Sequence, residues 1–398
     1  MNKLRFNRAI VIVMDSLGVG HDPRAKEFGD ENPNTLLHID HQLNGLNVPN
    51  LESLGLGHLD DYKGIEKKNN KHSYVLRLFE KSNGKDTMTG HWELMGLEVE
   101  KPFKTFTDTG FPKELIDELE KRTGRKVIGN IAASGTKIIE DLGEEQKRDG
   151  SLIVYTSADS VLQIAAHEES VSVEELYRCC EIARELTMKD EWKVGRVIAR
   201  PFIGKDASTF KRTPRRHDYA LSPFKDTALD ILKNQGFNVI SVGKIYDIFN
   251  GKGITSSNKT VNNDDGMDKT IEICKDKSWN GLLFVNLVDF DMDFGHRRDV
   301  EGYGRAIERF DERLGELLKH LDEDDFLMLT ADHGNDPTHK GTDHTRETVP
   351  LIVYSPKFKE GRVLPPKKSF GTVGVTIINN FNLSKNDLVG ESILKDLK

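Results

Sequence analysis

Short runs of apolar residues, many of them β-branched, recur along the chain and are separated by longer polar or amphipathic stretches. Residues 9–14, 237–242, 281–288, 325–330 and 349–354 form such runs. An apolar run of this length without polar alternation is typical of a strand that is buried on both faces, as in a parallel sheet. The sequence therefore predicts five buried strands.

Helical periodicity is found between these runs. Residues 303–321 place Ile307, Phe310 and Leu314 on one face at a spacing of three to four residues, and residues 224–233 show a weaker pattern. Strands that alternate with helices predict an α/β fold with a mostly parallel sheet flanked by helices. Residues 258–268 are rich in Asn and Asp, which favours a loop.

Acidic residues and histidines follow three of the predicted strands. The candidates at these strand ends, with one more in the loop beyond, are Asp15, Asp291, His296, Asp332, His333 and His344. The carboxyl ends of parallel strands lie at one edge of a sheet, where ligands bind in this fold class. Three carboxylates and three imidazoles suffice for two divalent ions with about three protein ligands each. A ligand set without thiolates suits Mn²⁺, Mg²⁺ or Zn²⁺.

Each candidate has a simpler interpretation when it is taken alone. A single Asp after a strand is often a turn former, and a single His is often a surface residue. The coincidence of all six at matching strand ends favours the dimetal site. Asp332 and His333 are adjacent and point to opposite sides of an extended chain, which leaves open which ion each of them binds.

The middle of the chain has a different character. Residues 101–220 carry their own strand and helix signals and a basic run at 211–216, but the pattern of acidic residues and histidines at strand ends stops there. We interpret this segment as an inserted α/β domain. Residues 1–100 and 221–398 then form the core domain with the metal-binding site.

A hydroxyl-rich segment precedes a predicted helix at residues 85–93, which read Lys-Asp-Thr-Met-Thr-Gly-His-Trp-Glu. Thr87 or Thr89 at a helix N-terminus could serve as an N-cap. Beside a dimetal site, a threonine hydroxyl could instead act as a nucleophile that accepts a phosphoryl group. The residues themselves leave both interpretations open.

Composition narrows the class of protein. With 36% hydrophobic and 31% charged residues, the 398-residue chain is typical of a globular protein. A net charge of −8 argues against binding to a nucleic acid backbone, but not against small phosphates. Three cysteines give no disulfide framework, and neither a signal peptide nor a membrane-spanning run is evident. We expect a cytoplasmic protein with small-molecule partners and no nucleic acid, membrane or obligate protein partner.

Several motifs together resemble those of the bacterial phosphopentomutases, which belong to the alkaline phosphatase superfamily and are related to cofactor-independent phosphoglycerate mutase. The motifs are Asp15, residues 86–92 (Asp-Thr-Met-Thr-Gly-His-Trp), residues 286–291 (Asn-Leu-Val-Asp-Phe-Asp), Gly295-His296, residues 331–335 (Ala-Asp-His-Gly-Asn) and residues 343–345 (Asp-His-Thr). The resemblance extends from end to end and implies an alkaline-phosphatase-like core with an inserted cap domain. It also implies the interconversion of ribose 1-phosphate and ribose 5-phosphate, and of the 2-deoxy forms.

The resemblance further implies individual roles. Thr87 matches the phosphorylated hydroxyl of a phosphothreonine enzyme that works through a bisphosphate intermediate. One Mn²⁺ would be held by Asp15, Asp332 and His333, and the other by Asp291, His296 and His344. Asp291 and His296 are one residue further apart than in the related mutase, so Asp289 and Asp293 are alternative ligands. A sugar bisphosphate such as ribose 1,5-bisphosphate or glucose 1,6-bisphosphate would prime the enzyme.

Substrate contacts are expected mainly from the inserted domain. The resemblance suggests Asp159 for the ribose hydroxyls, while Arg196, Arg212 and Lys244 are candidates for the distal phosphate. Arg212 is equally well explained as part of a solvated charge run. A metal-dependent phosphatase or another phosphosugar mutase is the alternative function. A sulfatase is disfavoured because position 87 is neither Cys nor Ser.

Overall fold

A computed structural model describes residues 5–157 and 160–398. Its strands are β1 Arg8–Met14, β2 Ser73–Leu78, β3 Val127–Ala132, β4 Leu152–Thr156, β5 Val161–His167, β6 Arg196–Ile203, β7 Lys211–Arg212, β8 His217–Ala220, β9 Asn238–Val242, β10 Ser256–Asn258, β11 Gly281–Leu287, β12 Asp325–Thr330 and β13 Val349–Tyr354. Its α-helices are α1 Thr35–Gln42, α2 Pro49–Ser53, α3 Thr87–Leu94, α4 Lys113–Thr123, α5 Gly135–Asp149, α6 Val173–Leu186, α7 Ala228–Asn234, α8 Ile245–Ile248, α9 Asn263–Lys275, α10 Val300–Leu318 and α11 Thr372–Asn380. Short 3₁₀ helices lie at Ala25–Phe28 and Leu56–His58, and a π-helical turn lies at Phe290–Gly295.

The chain divides into two compact units. Unit 1 consists of Met1–Pro102 and Ser222–Lys398, and unit 2 is the intervening segment Phe103–Leu221. Unit 1 therefore contains both ends of the chain and all of the strand-end candidates described above.

Unit 1 is built on a seven-stranded sheet with the order β10-β9-β11-β1-β12-β13-β2. The strands from β10 to β12 pair in parallel, whereas β13 is antiparallel to both of its neighbours. Every residue of β1, β11 and β12 is buried, as their unbroken apolar sequences predict for central strands covered on both faces. The predicted α/β fold with a mostly parallel sheet is confirmed.

One prediction about the helices of unit 1 was wrong. The polar run at 258–268 was expected to be a loop, but α9 begins within it at Asn263. Its N-cap, Asn262, accepts a hydrogen bond from the backbone of Asp265, and acidic residues occupy the first turn. The loop prediction was wrong because Asn and Asp favour helix N-termini as well as turns.

Unit 2 has its own sheet with the order β3-β4-β5-β6-β7, and β8 pairs with the other part of β6. This sheet is mixed, since β4 and β5 are antiparallel while β3–β4 and β5–β6 are parallel. The amphipathic helices α4 and α6 pack with one face of the sheet in an apolar core that includes Leu115, Leu162 and Cys180.

Two further observations concern the described part of the chain as a whole. The cysteines at 179, 180 and 274 are buried and unpaired with one another. Among the described helices, none is both long enough and apolar enough to cross a membrane.

Candidate active site

Three neighbouring parallel strands in the middle of the unit 1 sheet end at the same edge. Asp15 follows β1 directly, Asp332 and His333 follow β12, and Asp291 lies in the π-helical turn after β11. Because β1 is hydrogen-bonded to both β11 and β12, these side chains are brought to one place. The pairing of these three strands thus brings the candidate ligands together at one edge of the sheet.

One group of ligand atoms consists of Asp15, Asp332 and His333, which we call the first cluster. All three residues are buried, and their candidate ligand atoms lie within 4.8 Å of one another. His333 Nε2 is 3.5 Å from Asp15 Oδ1 and 3.3 Å from Asp332 Oδ2. Two carboxylates and one imidazole in such a spacing form a tridentate site for a divalent cation.

The second cluster consists of Asp291, His296 and His344. Asp291 Oδ2 lies 3.1 Å from His296 Nε2 and 3.5 Å from His344 Nε2, and the two imidazole nitrogens are 3.2 Å apart. His333 also belongs to a group with Asp291 and His344 whose ligand atoms lie within 4.8 Å. The two clusters are therefore contiguous and meet at His333.

Two buried oxygens in the first cluster indicate that a cation fits there. Asp15 Oδ1 and Asp332 Oδ2 accept no hydrogen bond, although imidazole nitrogens lie near both. A buried carboxylate oxygen without a hydrogen bond is costly unless a cation compensates it. The chemistry of the donor set and these unsatisfied oxygens fit a divalent metal ion.

Hydrogen bonds also fix the imidazole tautomers in favour of metal binding. The Nδ1 of His333 lies 3.1 Å from the Gly334 carbonyl, and the Nδ1 of His296 lies 2.7 Å from the Thr342 carbonyl. Since a carbonyl oxygen only accepts, each Nδ1 carries the proton and donates it. When the ring is neutral, its Nε2 then presents a lone pair to the cluster, as a metal ligand requires.

The acidic ligands have unequal electrostatic surroundings. Burial and the nearby Asp332 and Asp291 carboxylates raise the pKa of Asp15 well above its ordinary value. For Asp291, burial also acts to raise the pKa, but His344 and His296 outweigh it and lower the pKa well below its ordinary value. Burial lowers the pKa of His333, which favours the neutral, ligating form of its ring.

Thr87 lies beside the first cluster. It is the first residue of α3, and its Oγ1 is 3.2 Å from His333 Nε2. The N-cap of this helix is Asp86, whose side chain accepts from the Thr89 backbone and hydroxyl. Neither threonine is the N-cap, so the hydroxyl of Thr87 has no capping role and faces the ligand atoms.

Comparison with known proteins identifies the family. A model of the metalloenzyme superfamily matches residues 7–385. Phosphopentomutases of Clostridium botulinum and Clostridium tetani are 56% and 54% identical to the chain over 394 and 396 residues, with 99% of each sequence covered. The chain belongs to the phosphopentomutase family. The solved phosphoglycerate mutase of Leishmania mexicana aligns over 98% of both chains with 14% identity and a TM-score of 0.48.

Membership of the phosphopentomutases makes the protein an isomerase, an intramolecular phosphotransferase. The metalloenzyme match and the two groups of candidate ligands together support dependence on a divalent metal. The resemblance noted in the sequence is confirmed at the level of the family.

Three residues hold the ligands or Thr87 in place, although the sequence alone assigned them no role. Asn286 Nδ2 lies 2.8 Å from Asp15 Oδ2 and 3.1 Å from His91 Nε2, so it bridges the two. His91 Nδ1 in turn donates to the Thr87 carbonyl at 2.9 Å. Asn335 Nδ2 donates to Asp291 Oδ1 at 2.7 Å. Their positions in the phosphopentomutase motifs were the signal, but only the fold shows what each one contacts.

The alternative ligands face other partners. Asp289 Oδ2 accepts from the backbone of Asn263 at 2.7 Å, and Asp293 lies 2.8 Å from Arg297. Neither belongs to a described group of ligand atoms. This arrangement favours Asp291 as the carboxylate of the second cluster.

The candidate substrate residues of this phosphopentomutase lie in both units. Lys244, in unit 1, is the N-cap of α8 just after β9. In unit 2, Arg196 begins β6, whereas Arg212 on β7 pairs with Phe202, six residues further along β6. At about 3.3 Å per residue, the two arginine backbones are roughly 20 Å apart and are not brought together. Asp159 lies outside the described residues.

Proposed function

We propose that the protein interconverts ribose 1-phosphate and ribose 5-phosphate, and the 2-deoxy forms, through a phosphothreonine at Thr87. The observation that supports this proposal is the position of the Thr87 hydroxyl, 3.2 Å from His333 Nε2 and at the start of α3. Backbone N–H groups at a helix N-terminus favour an anion, and a phosphorylated Thr87 would place its phosphoryl oxygens there. The names of the curated relatives point to the same reaction.

The proposed reaction has two transfers. The Thr87 Oγ–P bond breaks as the free hydroxyl of the pentose phosphate takes the phosphoryl group, and a pentose bisphosphate forms. The other phosphoryl group of that bisphosphate then returns to Thr87 Oγ, and the isomeric monophosphate leaves. A pentose 1,5-bisphosphate or glucose 1,6-bisphosphate would phosphorylate Thr87 at the start.

The residues of the two clusters would hold two divalent ions, which we propose to be Mn²⁺. When bound, such ions stabilise negative charge on the transferring phosphoryl oxygens and lower the pKa of a coordinated hydroxyl. Asp15, Asp332 and His333 would hold the ion beside Thr87. Asp291, His296 and His344 would hold the other. His91 and Asn286 would orient Thr87 and Asp15 through the hydrogen bonds described above.

Substrate recognition is proposed to involve both units. Unit 2 would act as the cap, with Asp159 near the ribose hydroxyls and Arg196 or Arg212 at the distal phosphate, and Lys244 would add a positive charge from unit 1. Arg196 is half-buried and lies 3.9 Å from Asp218, whereas Arg212 is exposed. Separate Arg196→Met and Arg212→Met variants distinguish the two, since loss of a phosphate contact raises KM for ribose 5-phosphate.

The decisive experiment supplies ribose 5-phosphate, Mn²⁺ and a trace of glucose 1,6-bisphosphate, and measures ribose 1-phosphate and free phosphate separately. We expect isomerisation with little phosphate release. Thr87→Ala should abolish isomerisation while leaving Mn²⁺ binding measurable by calorimetry. Phosphate release without isomerisation would instead identify a phosphatase. Unchanged turnover by Thr87→Ala would exclude the phosphothreonine.

A further inference from the structure

We propose that Arg346 is a positioning residue that holds the segment before Thr87 against the loop that carries His344. The inference rests on the proposed role of Thr87. Arg346 is fully buried, is two residues beyond His344, and touches none of the six candidate ligands among the contacts described. Arg346 would therefore act on the site indirectly, by holding the backbone of the segment that precedes Thr87.

The guanidinium of Arg346 bridges several parts of unit 1. Its Nε donates to Asp22 Oδ2 at 2.9 Å, and its Nη1 lies 2.8 Å from Glu80 Oε2. Its terminal nitrogens also donate to the carbonyls of Glu80, Ser82 and Gly84, the Ser82 contact measuring 2.8 Å. The ring of Phe28 lies 4.8 Å from the guanidinium carbon. This set uses the whole planar fork, which a lysine ammonium cannot reproduce.

The carbonyls that Arg346 binds belong to the segment 79–86, which joins β2 to α3 and has no regular secondary structure. The N–H groups of Lys81 and Ser82 donate to the buried Glu93 on α3, at 2.9 and 2.6 Å. Glu93 thus satisfies donors of the segment and Arg346 satisfies its acceptors. Because the backbone groups of an irregular segment have no partners in a helix or sheet, the path of this partly buried segment towards Thr87 depends on both side chains.

The same arginine is also tied to the loop of the second cluster. Its own N–H donates to Asp30 Oδ2 at 2.7 Å, and Lys85 Nζ lies 3.1 Å from Asp30 Oδ1 and 3.0 Å from Asp343 Oδ2. Asp343 directly precedes His344. The segment that ends at Thr87 and the loop that carries His344 are therefore joined at two points, through Arg346 and through Lys85.

A chemical consequence follows from this geometry. Thr87 must hold its hydroxyl within reach of the reacting phosphoryl group, and a displacement of about 1 Å can lower a rate by roughly 100-fold. Loss of the Arg346 fork should shift the segment while the sheet keeps the ligands of the first cluster in place. The expected signature is a lower kcat with little change in KM.

Arg8 supplies a matched control. It too is buried, binds the Asp325 carboxylate through two nitrogens at 2.6 Å, and donates to the carbonyls of Cys274 and Asp276. It also lies over an aromatic ring, that of Trp279, at 5.1 Å. Arg8 begins β1, however, at the end of the strand opposite to Asp15. Its replacement should affect stability as much as that of Arg346 without affecting Thr87.

The experiment compares Arg346→Lys and Arg8→Lys with the unaltered enzyme, all loaded with Mn²⁺. We expect Arg346→Lys to lower kcat by about tenfold or more with KM for ribose 5-phosphate changed by less than about threefold. Arg8→Lys should lower Tm but leave kcat within about twofold. Hydrogen exchange of the segment 79–86 should be faster in Arg346→Lys and unchanged in Arg8→Lys.

Equal losses of kcat in the two variants, or an unchanged kcat in Arg346→Lys, would overturn the inference. If Arg346→Lys does not fold, hydrogen exchange of the backbone amides in the unaltered enzyme tests the inference instead. The inference requires the amides of Lys81 and Ser82, which donate to Glu93, to be protected like those of the central strands, and rapid exchange at these two amides would overturn it. The proposed function fails separately, when the unaltered enzyme forms no ribose 1-phosphate from ribose 5-phosphate whatever the exchange data show.

Discussion

The two clusters use the same kinds of ligand, but the chain compensates their charges differently. In the first cluster, Asp15 and Asp332 each have one buried oxygen that accepts no hydrogen bond. In the second cluster, Asn335 donates to Asp291 Oδ1, and the imidazole nitrogens of His296 and His344 lie 3.1 and 3.5 Å from Asp291 Oδ2. The pKa of Asp15 is accordingly raised by burial and the neighbouring acids, while that of Asp291 is lowered against burial by its histidines.

This difference suggests that the two clusters depend on a bound cation to different extents. A carboxylate with its partners already in place is oriented before a cation binds, whereas one that lacks them depends on the cation for its charge balance. Within the first cluster, burial acts to raise the pKa of Asp332, but His333 and His91 outweigh it and lower the pKa, so we expect Asp15 to be the most strained of the three carboxylates without metal. The second cluster should be the more preorganised.

The largest effect is expected from removing a ligand of the first cluster. Asp332→Asn should lower kcat for isomerisation by about 100-fold or more, because a preorganised charge contact at the reacting group is lost. Asp293→Asn is the control, since Asp293 pairs with Arg297 and not with either cluster. Steady-state kinetics at saturating Mn²⁺ check both. An equal loss of kcat in Asp293→Asn would show that Asp293 was wrongly excluded as a metal ligand.

Opposite changes in stability are expected from Asn substitutions in protein stripped of metal by a chelator. Because the pKa of Asp15 is raised, its ionisation opposes folding at pH values above its ordinary pKa of 3.8, and Asp15→Asn should remove that penalty. The pKa of Asp291 is lowered, so its charge stabilises the fold and Asp291→Asn should remove that contribution. We expect the free energy of unfolding at pH 7 to rise in Asp15→Asn and to fall in Asp291→Asn, as measured by urea denaturation.

Addition of Mn²⁺ sharpens this test. The unaltered protein should gain stability, by about 2.7 kcal/mol when the free ion is at a hundredfold excess over its Kd. Asp15→Asn should gain less, because it has lost a ligand of the first cluster. If both Asn variants were destabilised to the same extent without metal, the proposed difference between the clusters would be wrong.

Asn335 offers a more selective test of preorganisation. Its amide donates to Asp291 Oδ1, and Arg298 in turn lies against the Asn335 side-chain oxygen. Asn335→Ala should weaken Mn²⁺ binding at the second cluster by about 10- to 100-fold, the range for losing a residue that orients a ligand. Calorimetric titration should show one weakened site and one unchanged site. Equal weakening of both sites would indicate that the clusters are not independent.

The sequence predicted five of the seven strands in the sheet of unit 1 but not β2 or β10. The central strands were recognisable because a central parallel strand has to be apolar on both faces. The run at residues 281–288 and the strand β11 differ only at one end. The six candidate ligands could be named because acidic residues and histidines recur after three such strands and in the loop beyond, a coincidence that a single turn former or surface histidine does not explain. The family resemblance then grouped them and added Thr87.

Other features depend on contacts that have no sequence pattern. Arg346 follows a histidine motif and looks like any loop arginine, yet its side chain is fully buried among partners more than 260 positions away in the chain, at Ser82 and Gly84. Asn286 lies inside an apolar run. Nothing in the sequence around it shows that its amide has a partner in the active site. The helix that begins at Asn263 was missed because capping residues and turn residues are the same residues.

The smallest predicted effect concerns the support beneath the second cluster. Asp336 follows Asn335, and its Oδ2 lies 2.5 Å from His38 Nδ1. The hydrogen bond to Asp336 raises the pKa of His38 above its ordinary 6.5. Although burial acts the other way, His38 and the Asn34 backbone lower the pKa of Asp336 to about 2.

These shifts fix the sign of a pH dependence. The contribution of His38 is complete below pH 6.5 and is lost as the pH rises through its raised pKa. That of Asp336 is complete above its ordinary value of 3.8 and is lost as the pH falls through about 2. His38→Gln should therefore cost most near pH 5, by about 1 kcal/mol or less because the imidazole is partly exposed, and less at pH 9.

Urea denaturation of His38→Gln at pH 5, 7 and 9 tests this window. His41→Gln is the control, because His41 lies on the same helix but contacts a backbone carbonyl and no carboxylate. The difference between the two variants at each pH isolates the effect of the Asp336 carboxylate. A cost of His38→Gln that stayed constant from pH 5 to pH 9 would mean that the pair acts only as a neutral hydrogen bond.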